Sequence, residues 1–442
     1  MRDKLSSELY KAVGVPTYSS AYARVMINND IYGLYSIVDS VNNKWIAPFI
    51  HGDDDAHTGT SYKTFSGANL KYLGEGMNSY SGLGAYVVDE IDELDEAANG
   101  DDWYRLADFT KLFKNWVDAY ENDQTNTAVE ALKKFFDLES LLRQMVIESL
   151  TFAFDNFWAN SGNFLLYYNP EQKKYQIIPY DFDGTFHGSM GSDRFKKNYS
   201  EDINNCIDWA DVSRVNKDTY FISSLFKHDL IKNRYNEIMK ETVNKLFNVD
   251  KISPLIDSLS TLIEDDIEWN SGLIDKLDSS ITGYVNHFTL ENFKANTNFK
   301  TVDYNPNVNH NDANFGIKKW IQLRSNQCKS YVKNVSFMPN IPVAKNTLKA
   351  VNNVKITLPP VVTTTTTTTT TPVVTKTTKA SVSTTTTKVP VITTTTTNVP
   401  VITTTTTTPI ATQTSKITKI TVKKIVTIIK KVKKVKTKTS KL

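Results

Sequence analysis

Cysteine is almost missing: Cys206 and Cys328 are the only two in 442 residues. A scaffold stapled by several disulfides and a cysteine-built zinc cluster are thereby excluded, and one bridge is the most the chain can form with itself. No apolar run reaches the roughly 18 residues that a membrane-crossing helix needs. The N-terminus, MRDKLSSELYKAVGVPTYSS, lacks the basic-then-apolar order of a signal peptide. Acid is missing from one region only: after Asn353 there is no Asp, Glu, Trp, Tyr or Phe. Of the 51 Lys and Arg, 15 Lys lie from Lys355 onward, which leaves 36 basic residues against all 48 acidic ones upstream, a formal −12 for the body and +15 for the tail. The overall net charge of +3 describes neither part.

What is present sorts into three segments. Residues 1–340 are rich in Trp, Tyr and Phe and long enough to bury a core unaided, which makes them the folded domain. Residues 341–411 are Thr tracts broken by Val-Pro, with a tandem decamer (VPVITTTTTN, VPVITTTTTT); with no apolar period they read as an extended, disordered stalk. Residues 412–442 alternate Lys with Ile, Val and Thr in no regular period and read as a disordered basic tail, contact with an anionic surface being the alternative. No nucleic-acid partner is expected.

Within the body, Leu5 to Val13 before Gly14 reads as a helix, and since the chain opens inside it, the true start is expected upstream. Residues 21–38 hold two apolar, aromatic runs around Asn28-Asn29-Asp30, the composition of a β-hairpin. Loop residues dominate from His51 to Gly82, with short strands expected at Ser61–Ser66 and Asn69–Leu73. Acidic and apolar residues alternate from Val87 to Asn122. Leu138, Leu141, Leu142, Met145, Val146 and Leu150 recur at helical spacing behind Asp137, a fitting N-cap. That helix is expected to end near Asp155. Phe164–Tyr168 and Tyr175–Tyr180 then pair across an Asn-Pro turn, and helical periodicity returns over 202–288 and 317–335. The fold class read from this order is α+β.

The order of residues around that second hairpin carries chemistry. Phosphoryl transfer needs an anionic triphosphate neutralised by a divalent ion, and an acceptor hydroxyl aligned by a group able to take its proton. Mg²⁺ is held by one or two carboxylates or an amide, together with phosphates and water. Here an acid follows a helix (Asp155), amides follow it (Asn160, Asn163), a hairpin intervenes, and an acid stands at its exit (Asp181), followed by Phe182, Asp183 and Gly184. Protein kinases place a catalytic loop and a metal loop on either side of such a hairpin. Asp-x-Asp occurs also in glycosyltransferases and calcium loops. Each residue has a plainer reading as well: Asp155 as a helix end, Asn163 as a turn residue, Lys63 as a solvated strand lysine, and Trp158 and Trp320 as core. The run His51, Asp53, Asp54, Asp55, His57 reads as an exposed loop rather than a metal site.

Three blocks resemble the spore-coat-protein-H-like (CotH) kinase family. They are YARVMINNDIYGLYSIVDSV, SYKTFSGANLKYLG, and NFLLYYNPEQKKYQIIPYDFDGTFHG, in the family's order and within residues 5–335. The resemblance implies an atypical protein-kinase-like fold and ATP-dependent phosphorylation of Ser or Thr side chains of a protein substrate, with Mg²⁺ or Mn²⁺. Carried over, Asp181 is the metal-binding acid with Asp183 assisting, Asp155 orients the acceptor hydroxyl, and Asn160 or Asn163 is the second metal ligand. The family's upstream strand and its basic residue have no counterpart, so the N-terminal lobe is expected to be incomplete and Lys63 to supply the charge on the phosphates. Asp39 stands where the family has Glu. Together with the Thr-rich stalk, the resemblance implies an extracellular or cell-surface protein. The competing readings are a catalytically impaired surface adhesion protein on the same fold and a glycosyltransferase.

Overall fold

Residues 1–28, 30–186, 206, 207, 209, 210, 218–272, 288–300, 302 and 316–336 are described by the structure, a computed structural model. The Thr-rich stalk, the basic tail and parts of the helical stretch expected over 202–288 lie outside the described residues. Within them the fold is mixed α+β: eleven α-helices and two small antiparallel sheets.

The first helix, α1 (Arg2–Ala12), precedes a hairpin of β1 (Ser20–Ile27) and β2 (Asp30–Val38), in register from Ser20↔Val38 to Ile27↔Asp30 with a bulge at Val25/Met26. Gly33 in β2 has φ +123°, and a Cβ there would come within 2.6 Å of Asn270 Oδ1, which accepts the Leu34 N–H at 3.0 Å. Glycine is required because a side-chain amide, not a ligand, approaches the strand.

The second sheet runs in the order β4-β3-β5-β6, all antiparallel, from β3 (Ser61–Thr64), β4 (Tyr86–Glu90), β5 (Phe164–Asn169) and β6 (Lys174–Pro179). Strands β5 (FLLYYN) and β6 (KYQIIP) are aromatic and β-branched runs, and β5 is buried along almost its whole length. The strand expected at Asn69–Leu73 is not formed. Leu70 takes a left-handed φ of +57° and donates its N–H to the Tyr86 hydroxyl, and the fourth strand is Tyr86–Glu90 instead. Two β-branched residues between aromatic and acidic ones made the better edge strand.

The other helices are α2 (Asn43–Ile46), α3 (Tyr104–Tyr120), α4 (Asn126–Lys133), α5 (Leu138–Thr151), α6 (Phe157–Asn160), α7 (Tyr220–Phe226), α8 (Asp229–Lys245), α9 (Val249–Ser271), α10 (Leu290–Asn296) and α11 (Ile317–Tyr331). Helix α5 is the centre: twelve of its fourteen residues are buried, so it is covered all round rather than along one stripe. It packs on α1, β6, α8 and α11. Its last carbonyls, which have no partner in the helix, are satisfied by α11. Trp320 Nε1 donates to Leu150 O at 3.0 Å and Arg324 Nε to Ser149 O at 2.9 Å. The two cysteines form the single bridge open to them, Cys206–Cys328, with Cα atoms 5.7 Å apart.

Candidate functional site

Two loops leave the ends of α5 and β6 and meet. Asp137 caps α5 as its sequence predicts, accepting the Ser140 N–H at 3.1 Å. The helix stops at Thr151, four residues before the expected end, because Phe152 adopts a left-handed φ of +55° and Ala153 N–H closes back on Glu148 O at 3.0 Å. Asp155 follows, then the single turn α6, which ends at Ser161 (φ +53°); Asn163 (φ +54°) leads into β5.

The second loop begins where β6 ends. Tyr180 N–H donates to Asn163 O at 3.1 Å, and Asp181 sits at φ +59°, a region that L-residues with a Cβ enter at a cost of order 1 kcal/mol. Surrounding contacts offset that strain. Asn156 Nδ2 donates to Tyr180 O (3.0 Å) and Asp181 O (3.2 Å), joining the two loops. Phe182 is buried between the rings of Tyr10 and Tyr18, with centroids 4.6 and 5.2 Å away. Its N–H faces the Tyr18 hydroxyl (3.3 Å) and Asp3 Oδ2 (3.4 Å), and Tyr18 donates to the same Asp3 carboxylate. Thr185 and Ser6 hydroxyls meet at 2.8 Å. A Cβ on Gly184 would stand 3.2 Å from Asp155 Cβ, which shows how closely the loops approach.

The structure therefore brings Asp155, Asp181 and Asp183 into one cluster and adds Asp3. Burial, then repulsion from Asp183, Asp155 and Asp3, lifts the Asp181 pKa to about 6. Burial likewise raises Asp155, with Asp183 adding to the rise and the amides of Asn163 and Asn160 opposing it. Asp155 Oδ1 accepts Asn160 Nδ2 at 2.8 Å and Oδ2 accepts Asn163 Nδ2 at 3.0 Å. Asn160 Oδ1 accepts the Ser66 hydroxyl at 2.7 Å, so both ends of that amide are engaged, whereas no hydrogen bond among the described residues uses Asn163 Oδ1. Lys63 on β3 is paired with Asp89 of β4 at 2.5 Å and is not a partner of Asp155 or Asp181. His51 contacts Tyr167 and Glu171, and His57 contacts Asp92, in separate places. Trp158 and Trp320 are buried.

No cation of the described residues pairs with Asp155, Asp181 or Asp183, and no group of three or more His, Cys, Asp or Glu among them is arranged as a ready-made metal cage. That donor set fits a hard divalent ion held by one or two carboxylates and completed by phosphate and water. A cavity of about 350 Å³ lies beside the cluster, bounded by Asp3, Asp183, Ile263, Asn270, Asn292 and Phe293.

Sequence reasoning missed Asp3, Tyr18, Asn156 and Glu148. Asp3 and Tyr18 carry no local signal, since their role comes from a contact more than 160 positions away. Asn156 stands beside a residue that was singled out. Glu148 did leave a trace: an acid three residues after Met145, inside an apolar helical pattern.

Comparison with known proteins matches residues 1–325 to the family model described as CotH kinase protein. Spore coat protein homolog 1 of Rhizopus delemar is 24% identical over 335 residues, 75% of this chain and 50% of that protein. Invasin CotH3 of the same fungus is 25% identical over 328 residues, 74% of this chain and 50% of that protein. Inner spore coat protein H of Bacillus subtilis is 22% identical over 268 residues, 58% of this chain and 62% of that protein. The matched region thus spans about half the length of the fungal relatives.

Proposed function

The chain belongs to the CotH kinase protein family, and from that premise we propose that it is an atypical protein kinase, transferring the γ-phosphoryl group of ATP to Ser or Thr side chains of a protein substrate with Mg²⁺ or Mn²⁺. The observation that carries this reading is the convergence of Asp155 and Asp181, from opposite sides of the β5–β6 hairpin, on one cluster of uncompensated carboxylates. Asp181 and Asp183 are the residues that hold the divalent ion, with Asn163 the amide better placed to assist, because its Oδ1 is uncommitted. The ion supplies neutralisation of phosphate charge at the transferred group. Asp155 accepts the hydrogen bond of the acceptor hydroxyl and then its proton. The two asparagine amides fix the rotamer of its carboxyl group, and burial raises its affinity for the proton it receives. Lys63 serves the phosphates only if it exchanges Asp89 for them. The kinase-like assignment of the fold rests on the same layout, with Phe182 packed under α1 and an N-terminal lobe represented by β1, β2 and α1.

Export is supported by the Cys206–Cys328 bridge and by relatives named as spore coat proteins and invasins. Among the described residues no helix is long and apolar enough to cross a membrane. The invasin names also favour a second reading, a surface binding protein on the same fold without catalysis.

Thermal unfolding with Mn²⁺ and ATP, together with phosphate transfer from labelled ATP to a protein acceptor, separates the two. The kinase predicts stabilisation by the pair of ligands, lost in Asp181→Ala, and transfer that the same substitution abolishes. Absence of both in the wild type leaves the binding protein. Hydrolysis of a sugar nucleotide without turnover of ATP points instead to glycosyl transfer.

A further inference from the structure

Glu148 is the least expected acid among the described residues. It lies in the last turn of α5 with no solvent exposure, and no cation among the described residues pairs with it. Tyr10 of α1, Tyr235 of α8 and Gln144 one turn earlier in α5 surround it, and the one cation nearby among the described residues, Arg324 of α11, bonds Ser149 O and Oγ rather than the Glu148 carboxylate. A buried, unpaired carboxylate is costly unless backbone donors surround it. Here they do. Oε2 accepts the Trp158 N–H at 2.7 Å, the Phe157 N–H also bonds the carboxylate, and Oε1 accepts Gln144 Nε2 at 2.8 Å.

Those two N–H groups open α6, and the residue at its N-cap position, Asn156, makes no capping bond: its Nδ2 donates to Tyr180 O and Asp181 O, and its Oδ1 takes no partner among the described residues. Glu148 caps the turn in its place. Through its backbone it also holds the other end of the loop, since Glu148 O accepts the Ala153 N–H at 3.0 Å. Asp155 is suspended between these two anchors, and Asn160, the last residue of α6, grips its Oδ1. We propose that Glu148 is a positioning residue: it fixes the Asp155 loop and α6 so that the Asp155 and Asn160 side chains meet in the geometry the transfer requires.

The proposal deepens the kinase reading and rests on it. A charged acceptor binds N–H groups about twice as strongly as a neutral one, so the ionised form of Glu148 is the competent one. Burial, the largest influence, lifts its pKa to about 7. Acidification through that range therefore weakens the grip of Glu148 on α6.

The test uses the full chain and two variants. Glu148→Gln is expected to lower kcat about fivefold at pH 8 with KM for ATP within about twofold, and to remove the acid limb near pH 7 from the kcat profile. Its Tm at pH 8 should equal or exceed that of the wild type, because the substitution removes a buried charge; Gln144 Oε1, buried without a partner, can accept the new amide after a flip of its own. Glu148→Ala, if it folds, should lower kcat about a hundredfold while keeping the thermal shift with Mn²⁺ and ATP. Hydrogen exchange in the peptide covering 153–160 should quicken in either variant. A Glu148→Gln profile superposable on the wild type, or unchanged exchange in that peptide, overturns the proposal. A Tm that falls in step with kcat assigns Glu148 to folding alone and overturns it too. Wild-type protein without any turnover sinks the kinase reading instead, and the exchange measurement still decides whether Glu148 holds the loop.

Discussion

Two hairpins of this protein have similar compositions and opposite fates. Both β1–β2 and β5–β6 are aromatic and β-branched runs joined by asparagine-containing turns. In β5, Phe164, Leu165, Leu166 and Tyr167 are all fully buried, whereas in β2 Tyr32, Tyr35, Ile37 and Val38 expose a third to a half of their surface. The difference lies in what each hairpin pairs with. Strand β5 has a neighbour on both sides and α5 against the sheet, while β1 and β2, among the described residues, pair only with each other and touch α1 and α9. The acids are attached to the buried hairpin. Chemistry that tolerates only errors well under an ångström belongs on the more tightly packed of the two hairpins.

The comparison can be broken or sharpened by substitution. Asp155→Asn, on the loop entering β5, should reduce phosphate transfer by a factor of about 10²–10⁴ while leaving the thermal shift with Mn²⁺ and ATP in place, as measured by initial rates and melting curves. Leu166→Ala in β5 should cost about 2–5 kcal/mol in denaturant unfolding, the range for a fully buried leucine. A third test concerns protons. Asp181 has a folded-state pKa raised to about 6, so in the metal-free protein its ionisation costs stability, which is fully present below the unfolded value and lost as pH rises through about 6. A divalent ion reverses that cost. Mn²⁺ affinity, followed by titration calorimetry, should therefore weaken about tenfold between pH 7 and pH 5, and the Asp181→Asn variant should lack this dependence. The smallest effect belongs to the open hairpin: Tyr35→Ala in β2 should change stability by less than about 1 kcal/mol, and a loss as large as that of Leu166→Ala would show that β2 has a covering partner in solution.

Much of the frame was legible in the sequence for local reasons. Helix α5 announced itself by apolar spacing behind the Asp137 cap, both hairpins by their turns, and the order acid, amide, hairpin, acid by its chemistry. What was not legible depended on distance. The edge strand at Tyr86 displaced the one expected at Asn69–Leu73 because only the folded sheet decides which short run reaches β3. The end of α5 moved from Asp155 to Thr151 through one left-handed residue, Phe152, whose side chain is fully buried against Trp209 and Trp320. Asp3 entered the acidic cluster, and Tyr18 its aromatic clamp, by contacts that no window of sequence contains. The amide nitrogens of Asn160 and Asn163 grip Asp155, a contact that no sequence pattern announces.

The cross-link between Cys206 and Cys328 closes a ring of chain 122 residues in span. A protease that nicks the backbone anywhere inside that ring leaves two fragments still covalently joined, which part on a gel only after thiol treatment. Synthesis in a reducing compartment would yield the open ring, and with it the loss of a constraint worth about 4–5 kcal/mol on the unfolded chain.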